Sequence, residues 1–467
     1  MASSGCWKCL ARPSGSLTSQ LALRTPGVSA AFSTTTARAA LPIKAKKPSQ
    51  ARPALKAKGS KTLRIKKKAP AKPSGKPPMP GERKAMRKRI VLSNTNALEV
   101  PMMDFNEHMV ADPTMAGKVV ALPGEVVDSL RAVEAFKVNQ GWGLFRKPAL
   151  LLREESAVLG QKMVAAEKNK EAVRLVIDGE RGSGKSLMLL HALSAAFLRG
   201  WIVLSIPEAQ DLCNASTEYA PLPGTNPTIY TQNVYTANFL AQIQKSNSVL
   251  QTLHVTKSHN LPIPLPEKTT LARLCELGAR DPDISWPIFQ AFWAEITGPA
   301  RPPVLFTLDS LSFTMGLSAY RSASYELIHA HDLALVQHFV TYLSGEKPLP
   351  NGGAILGATS RSHAPVSASL ELALKQALEK QQHGEIMTKK DPYGKKYDTR
   401  AEDKLKSVEV LKLKGLSKVE ARGLMEYWAQ SGLLRSRVDE RLVTEKWALA
   451  GNGIVGEIER GVLRMRI

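Results

Sequence analysis

The chain has 467 residues and a formal net charge of +23, with 64 Lys and Arg against 41 Asp and Glu. This length allows a large buried core and more than one domain, whereas four cysteines without a second pair exclude a zinc site. Cys213 and Cys275 are predicted to be buried or free thiols. The longest apolar run, Leu187–Phe197, is too short to cross a bilayer, so no transmembrane segment is predicted.

The basic charge is concentrated at the N-terminus. Residues 1–80 hold seventeen Lys and Arg and no acidic residue, so the remainder carries a net charge of only +6. Residues 1–40 are rich in Ser, Thr and Ala with spaced Arg, and they lack a long apolar stretch. This composition is typical of a mitochondrial transit peptide, with cleavage predicted near residues 33–40 and import into the matrix. A plain unstructured N-terminus is the alternative.

Residues 41–100 are rich in Lys, Pro and Ala and predict a disordered basic arm, because so few apolar residues cannot form a core. The charge suits an arm that lies along phosphate backbones and becomes ordered on binding. A membrane anchor is disfavoured because large apolar residues do not recur at helical spacing. A nuclear localisation signal is a further alternative.

The predicted nucleotide domain covers residues 101–395. It opens with a lead-in segment, residues 101–152, that holds a predicted helix over Pro123–Phe136. Strand Ala172–Asp178, helix Ser186–Arg199 and strand Trp201–Ile206 follow in a β-α-β order that indicates a parallel sheet. Between the first strand and the helix the chain reads G-E-R-G-S-G-K-S, a complete phosphate-binding loop formed by Gly179, Glu180, Arg181, Gly182, Ser183, Gly184, Lys185 and Ser186.

The loop predicts a nucleotide site. Glycines let successive backbone N–H groups point inward, and these groups and the helix N-terminus bind phosphate oxygens. Lys185 is expected to reach the β- and γ-phosphates and the Ser186 hydroxyl to ligate Mg²⁺. A glycine-rich turn without a ligand is the alternative. The loop serves guanine and adenine nucleotides equally well, so GTP, GDP and ATP all stay open.

The second predicted magnesium residue is Asp309, at the end of the apolar strand Val304–Asp309. A helix N-cap is its alternative role. Position 310 is Ser, a poor general base near neutral pH, which predicts slow hydrolysis at most and no assignable catalytic residue. Strand Ala354–Ala358 ends in Thr359–Arg361, which either sense the γ-phosphate or cap the next helix, and Arg361 is a candidate arginine finger.

Further helices are predicted near Val234–Gln244 and over Thr269–Thr297, Ser322–Leu343 and Ser367–Gln381. T-K-K-D at 388–391 resembles a guanine-reading motif but has no strand before it. Residues 405–467 predict a small winged-helix-like domain, with a helix that Ser417 and Glu420 cap, a wing strand at Arg441–Leu449 and a helix at Asn452–Val462. The fold class is α/β, a phosphate-loop NTPase sheet of the AAA+ or STAND type with flanking helices.

Several segments together resemble the death-associated-protein family of mitochondrial small-subunit ribosomal proteins. They are W-G-L-F-R-K-P-A at 142–149, the loop with its helix at 179–193, W-I-V-L-S-I-P-E-A at 201–209, L-D-S-L-S-F-T-M-G at 308–316 and E-Y-W-A-Q-S-G-L-L at 426–434. The resemblance covers roughly residues 100–467. It implies a place in the head of the small subunit, facing the large subunit, and a bound guanine nucleotide.

The resemblance favours a structural ribosomal protein that binds GTP or GDP with Mg²⁺ and contacts rRNA and neighbouring ribosomal proteins. The alternative is an active NTPase switch in mitochondrial nucleic-acid handling or apoptosis signalling. A third hypothesis is an RNA-binding protein whose loop has lost its ligand, and the intact Lys185 and Ser186 argue against it.

Overall fold

The computed structural model describes residue 87 and residues 89–266, 268–394 and 397–463. The predicted transit peptide and residues 41–86 and 88 of the predicted basic arm lie outside these described residues. None of the described helices is both long and apolar enough to cross a membrane.

The described chain alternates helices with short strands. The strands are β1 (Val119–Ala121), β2 (Ala149–Leu151), β3 (Ala172–Gly179), β4 (Ile202–Ile206), β5 (Ala220–Pro221), β6 (Tyr230–Thr231), β7 (Val304–Asp309), β8 (Leu317–Arg321), β9 (Leu327–His329), β10 (Gly353–Ala358) and β11 (Glu409–Leu413). The helices are α1 (Gly124–Ala132), α2 (Glu154–Asn169), α3 (Lys185–Leu198), α4 (Gln210–Cys213), α5 (Asn233–Ser246), α6 (Leu271–Arg280), α7 (Ser285–Ile296), α8 (Ala334–Leu343), α9 (Ala368–His383), α10 (Thr399–Leu405), α11 (Lys418–Gln430), α12 (Glu440–Leu449) and α13 (Val455–Leu463).

A five-stranded parallel sheet forms the centre of the molecule, in the order β11-β3-β10-β7-β4. The register places Leu356 of β10 between Leu175 of β3 and Thr307 of β7. β3 and β4 are joined by α3 but lie apart, because β10 and β7 insert between them. The predicted parallel α/β sheet with flanking helices is therefore confirmed.

Both faces of the sheet are covered by helices, which explains the apolar runs of its strands. Successive β3 residues alternate between the two faces, as the two-residue period of a strand requires. Leu175 and Ile177 pack in the core formed with α1, α2 and α3, whereas Val176 packs in the core formed with α5 to α9. The sheet thus holds its strand ends rigidly between two helical layers.

The region between β7 and α8 differs from its prediction. The sequence predicts one helix over Ser322–Leu343, but its first part forms the turn that follows β8, the strand β9 and a short 3-10 turn, and α8 begins only at Ala334. Burial alternates along β8, so its sequence follows the period of a strand. Tyr325 has a φ of 69° in the intervening turn, a conformation that a helix does not contain.

The C-terminal region also differs from its prediction. β11 hydrogen-bonds to β3 as an edge strand of the central sheet. The wing strand expected at Arg441–Leu449 is wrong, since these residues lie in α12. Asp439 caps this helix by accepting from the Leu442 N–H at 2.8 Å, and the apolar Val443 and Trp447 recur at helical spacing. Described residues 414–463 contain three helices and no strand, so no winged-helix domain is confirmed.

Ordered packing begins earlier than residue 101, where the nucleotide domain was predicted to start. Leu92 and Val100 are buried, and the Arg87 side chain is held against the body by acidic residues. The basic composition of this stretch predicted disorder, but these two apolar side chains and the ion pairs supply contacts that composition does not reveal.

Candidate nucleotide-binding site

The glycine loop connects β3 to α3 and depends on its glycines. A Cβ atom added to Gly179 would lie 2.8 Å from both the Leu413 carbonyl oxygen and the Ser183 hydroxyl. Gly182 and Gly184 have φ values of 79° and 94°, in the left-handed region that other residues rarely adopt. The backbone can therefore turn tightly and start α3 directly at Lys185.

The loop leaves donors free for an anion. No described residue accepts from the backbone N–H groups of Lys185, Ser186 or Leu187 at the start of α3, where the helix dipole is positive. The Lys185 ammonium donates to the carbonyls of Gly179 and Glu180 at 2.8 and 2.7 Å. Burial lowers the pKa of Lys185, so an anionic ligand beside it would stabilise its charge.

A cavity of about 600 Å³ opens at the carboxyl ends of β3, β7 and β10. This is where ligands bind in parallel α/β sheets, and the size suits a nucleotide. Of the predicted site residues, those that line the cavity are Arg181, Gly182, Gly184, Lys185, Ser186 and Asp309. Gly179, Glu180 and Ser183 build the loop behind it, and the buried Ser183 hydroxyl has no hydrogen-bond partner in the described part of the chain.

Asp309 ends β7 as predicted, and it carries a partner that the sequence did not indicate. Its Oδ1 accepts from the Ser310 N–H at 2.7 Å, and its Oδ2 pairs with the Lys137 ammonium. Burial opposes the charge of Lys137, but Asp309 and Glu208 hold its pKa above the usual range. No sequence signal marks Lys137, because 172 positions separate it from Asp309.

The residues present fit a Mg²⁺ ion that is held mainly by phosphates. The Ser186 hydroxyl and the Asp309 carboxylate line the same cavity and are oxygen ligands of the kind that Mg²⁺ prefers. Described residues offer no cluster of three acidic, His or Cys side chains that would hold an ion alone. Bound phosphates would have to complete the ligand set, and Lys137 would have to share Asp309 or release it.

A second acidic residue in the cavity was also missed. Glu208 follows β4 and lies 3.5 Å from both Arg87 and His363. Burial opposes its charge, but His363, Lys137 and Arg87 lower the pKa of Glu208 to about 2. Glu208 is therefore ionised and engaged at neutral pH.

Residues 359–361 surround the end of β3 rather than a helix terminus. The Thr359 hydroxyl donates to Asp178 at 2.7 Å, and the Arg361 guanidinium lies 3.1 Å from the same carboxylate. Ser367, not these residues, caps α9. Thr359 and Arg361 line the cavity, so their predicted roles towards a γ-phosphate stay predictions.

The C-terminal helix α13 also contacts the glycine loop. The Gly456 N–H at the start of α13 donates to the Gly182 carbonyl at 3.0 Å. Arg153, which precedes α2, donates to the carbonyls of Ser183 and Lys414 at 2.8 Å each. The loop is thus joined to α13 and to the chain that follows β11.

The T-K-K-D segment and the two described cysteines lie away from the cavity at the loop. Thr388 of T-K-K-D is bonded to Glu379 and does not line the cavity, so the motif does not contribute to this site. Cys213 and Cys275 are buried free thiols as predicted, and burial raises the pKa of Cys213 to about 12.

Fold and loop together define an α/β protein with a five-stranded parallel sheet and a glycine-rich loop at its carboxyl edge. Residues 150–461 match the family described as mitochondrial ribosomal death-associated protein 3, and the chain belongs to this family. It is similar to the small ribosomal subunit protein mS29 of Neurospora crassa, with 47% identity over 472 residues and 99% of each chain covered. The family resemblance seen in the sequence is therefore confirmed.

Proposed function

We propose that this chain is a structural component of the mitochondrial small ribosomal subunit, located in the matrix, and that it binds a guanine nucleotide with Mg²⁺. The ribosomal role is supported by the similarity to a small-subunit ribosomal protein over 99% of both chains. The second part is supported by the cavity of about 600 Å³ at the glycine loop.

The residues of the loop suggest how the nucleotide is held. The free N–H groups at the start of α3 would bind the inner phosphates, and Lys185 would exchange the carbonyls of Gly179 and Glu180 for the outer phosphates. Mg²⁺ would neutralise phosphate charge between Ser186 and Asp309. Bound nucleotide stabilises the fold by mass action, which suits an assembly cofactor.

The basic N-terminal arm suits contact with rRNA. Residues 1–80 carry seventeen Lys and Arg without an acidic residue, and removal of residues 1–40 as a transit peptide would leave most of them. Such an arm binds phosphates without reading bases, so its affinity falls steeply with salt. The neighbouring ribosomal proteins and the face towards the large subunit follow from the family resemblance alone.

The alternative function, an active NTPase switch, is favoured by one observation. Position 310 holds Ser and supplies no general base for the attacking water, but Glu208 places a carboxylate in the same cavity that would take this role. Arg87 and His363 engage Glu208 and lower its pKa to about 2, which makes it a weak base. Hydrolysis at several turnovers per second that Glu208→Gln abolishes would favour the switch.

Sedimentation tests the ribosomal part of the proposal. Mitochondrial extract is separated on a sucrose gradient, and the protein is expected in the small-subunit fractions and, at ribosome-stabilising Mg²⁺, in the monosome. Its absence from both fractions would contradict the proposal. When the small subunits are washed with rising salt, a variant lacking residues 41–80 should be released at a lower salt concentration than the unchanged protein.

Thermal stability tests the nucleotide part. GDP with Mg²⁺ at about 100 times its dissociation constant should stabilise the purified protein by about 2.7 kcal/mol. Lys185→Ala should abolish this stabilisation, whereas Lys245→Ala, an exposed lysine outside the cavity at the loop, should retain it. Equal stabilisation of both variants, or none of the unchanged protein, would refute nucleotide binding at this loop.

A further inference from the structure

A second, smaller cavity adjoins the first one beside the glycine loop. It has a volume of about 130 Å³ and lies between β2, the side of α3, and helices α11 and α13. Its walls are largely apolar and include the aromatic rings of Trp142, Tyr427 and Trp428. An apolar cavity of about this size takes up a six-membered aromatic ring, so we call it the ring slot.

The ring slot is continuous with the cavity at the loop. Gly184 and Leu187, at the start of α3, line both of them, and so do Gln140 and Glu459. A nucleotide whose phosphates bind the N–H groups of α3 would place the six-membered ring of its purine base in the ring slot and the five-membered ring at the shared opening. The stacked rings of Phe145 and Tyr427, 5.0 Å apart, form part of the slot wall.

Polar groups without partners border the ring slot. Glu459 is half-buried and makes no hydrogen bond or ion pair with another residue that the structure describes. Burial raises the pKa of Glu459, as expected for a carboxylate without a donor. The His191 side chain is only 3% exposed, and neither of its ring nitrogens has a partner among the described residues. A buried polar group without a partner calls for an explanation, and the polar edge of a ligand in the ring slot would supply one here.

Gln140 lies next to the Glu459 carboxylate. A Cβ atom added to Gly141 would lie 3.4 Å from Oε1 of Glu459, so this carboxylate faces the turn at residues 140–141. The Gln140 carbonyl oxygen already accepts from the Lys137 N–H at 2.8 Å and the Trp142 indole at 2.7 Å. The side-chain amide nitrogen of Gln140 is therefore left to donate a hydrogen bond to a ligand.

We propose that the ring slot is the base subsite and that Glu459 is the residue that selects guanine over adenine. This inference rests on the proposed nucleotide binding. The Watson–Crick edge of guanine carries two neighbouring donors, N1–H and N2–H, which a carboxylate accepts together, and an acceptor, O6, for an amide N–H. Adenine presents an acceptor at N1, which would face the carboxylate without a hydrogen bond. A bidentate contact of this kind discriminates between bases by roughly 10- to 100-fold.

Calorimetric titration of the full chain with GDP, ADP and IDP, each with Mg²⁺, tests the proposal. The unchanged protein should bind GDP roughly 10- to 100-fold more tightly than ADP. IDP, which lacks the 2-amino group, should fall between them. Glu459→Gln should weaken the binding of GDP by a similar factor and leave the binding of ADP nearly unchanged. The variant should therefore lose the preference for GDP over ADP.

Glu445→Gln is the matched control, because Glu445 lies on the neighbouring helix α12, outside both cavities, and pairs with Lys446. It should retain the preference for GDP. Circular dichroism of both variants without nucleotide checks that they fold. Equal binding of GDP and ADP by the unchanged protein, or an unaltered preference in Glu459→Gln, would overturn the base assignment while nucleotide binding stands. Absence of binding by the unchanged protein would remove both proposals.

Discussion

The backbone N–H of Gly456 donates to the carbonyl oxygen of Gly182 across 3.0 Å. This bond joins the first turn of α13 to the middle of the glycine loop, although the two residues are far apart in the chain. The position of the C-terminal helix and the conformation of the loop are therefore coupled. A ligand that orders the loop should also order α13.

Gly182→Ala should weaken nucleotide binding through the loop backbone. Gly182 has a φ of 79°, and a left-handed conformation costs a residue with a Cβ atom about 1–2 kcal/mol. The added Cβ would meet nothing closer than 3.5 Å, so strain and not a clash is the cause. If the loop relaxes to relieve the strain, its N–H groups turn away from the phosphates, and GDP affinity should fall by about tenfold or more.

Gly200→Ala is the control for this strain. Gly200 has a φ of 67°, lies at the other end of α3, and has no atom within 4 Å of an added Cβ. Both variants should lose similar stability in denaturant unfolding, but only Gly182→Ala should lose affinity in calorimetry. Equal affinities would show that the loop backbone does not hold the nucleotide.

Glu295→Ala should destabilise the layer of helices opposite α3. Glu295 is fully buried and accepts from the Lys257 N–H at 2.7 Å and from Arg301 at 2.9 Å. Removal of the carboxylate leaves Arg301 buried without its charge partner, which typically costs 3–5 kcal/mol, so we expect about 3 kcal/mol in urea unfolding. Glu276→Ala, at an exposed pair with Arg280, should change stability little. A similar loss in both variants would contradict this account.

The stability of the ligand-free protein should fall in mild acid because of His191. Burial lowers the pKa of His191 to about 4, whereas an unfolded histidine has a pKa near 6.5. Below pH 6.5 the unfolded chain takes up a proton that the folded chain does not, so stability falls until the pH passes the folded value near 4. Between pH 7 and pH 5 this group alone should cost about 2 kcal/mol.

His191→Leu should reduce the stability difference between pH 7 and pH 5 by that amount, measured by urea unfolding at both values. His383→Leu, at an exposed position, is the matched variant and should leave the difference unchanged. An equal difference in His191→Leu and the unchanged protein would show that His191 is protonated in the folded state.

Glu420→Ala should loosen α11 from the rest of the molecule. Glu420 is 3% exposed, and its carboxylate accepts from the Ser417 N–H and the Glu154 N–H at 2.8 Å each. It thus completes the capping box of α11 and also accepts a hydrogen bond from a backbone N–H at the N-terminus of α2. Loss of hydrogen bonds to a charged group costs about 1.5–3 kcal/mol. Glu426→Ala, on the exposed face, should be nearly neutral, and hydrogen exchange in α11 should report the contrast.

The loop and its strand and helix were predictable because their signals are local. Glycines at fixed positions, an apolar strand before them and helix formers after them all lie within residues 172–199. Helix and strand were confused at Arg441–Leu449 and at Leu327–His329, where short stretches fit both periods. The capping residue Asp439 was the local signal that would have identified the first of them as a helix.

By itself the sequence determined the family, the parallel α/β class and the position of the glycine-rich loop between a strand and a helix, since each depends on residues that are close in the chain. Only the tertiary structure decided what surrounds the loop. It brought Lys137 to Asp309, Arg87 to Glu208, and Glu459 to the turn at Gly141. Such pairs form because the carboxyl ends of parallel strands converge at one edge of the sheet, where separate segments of the chain cover them. Spacing along a single sequence does not record that convergence.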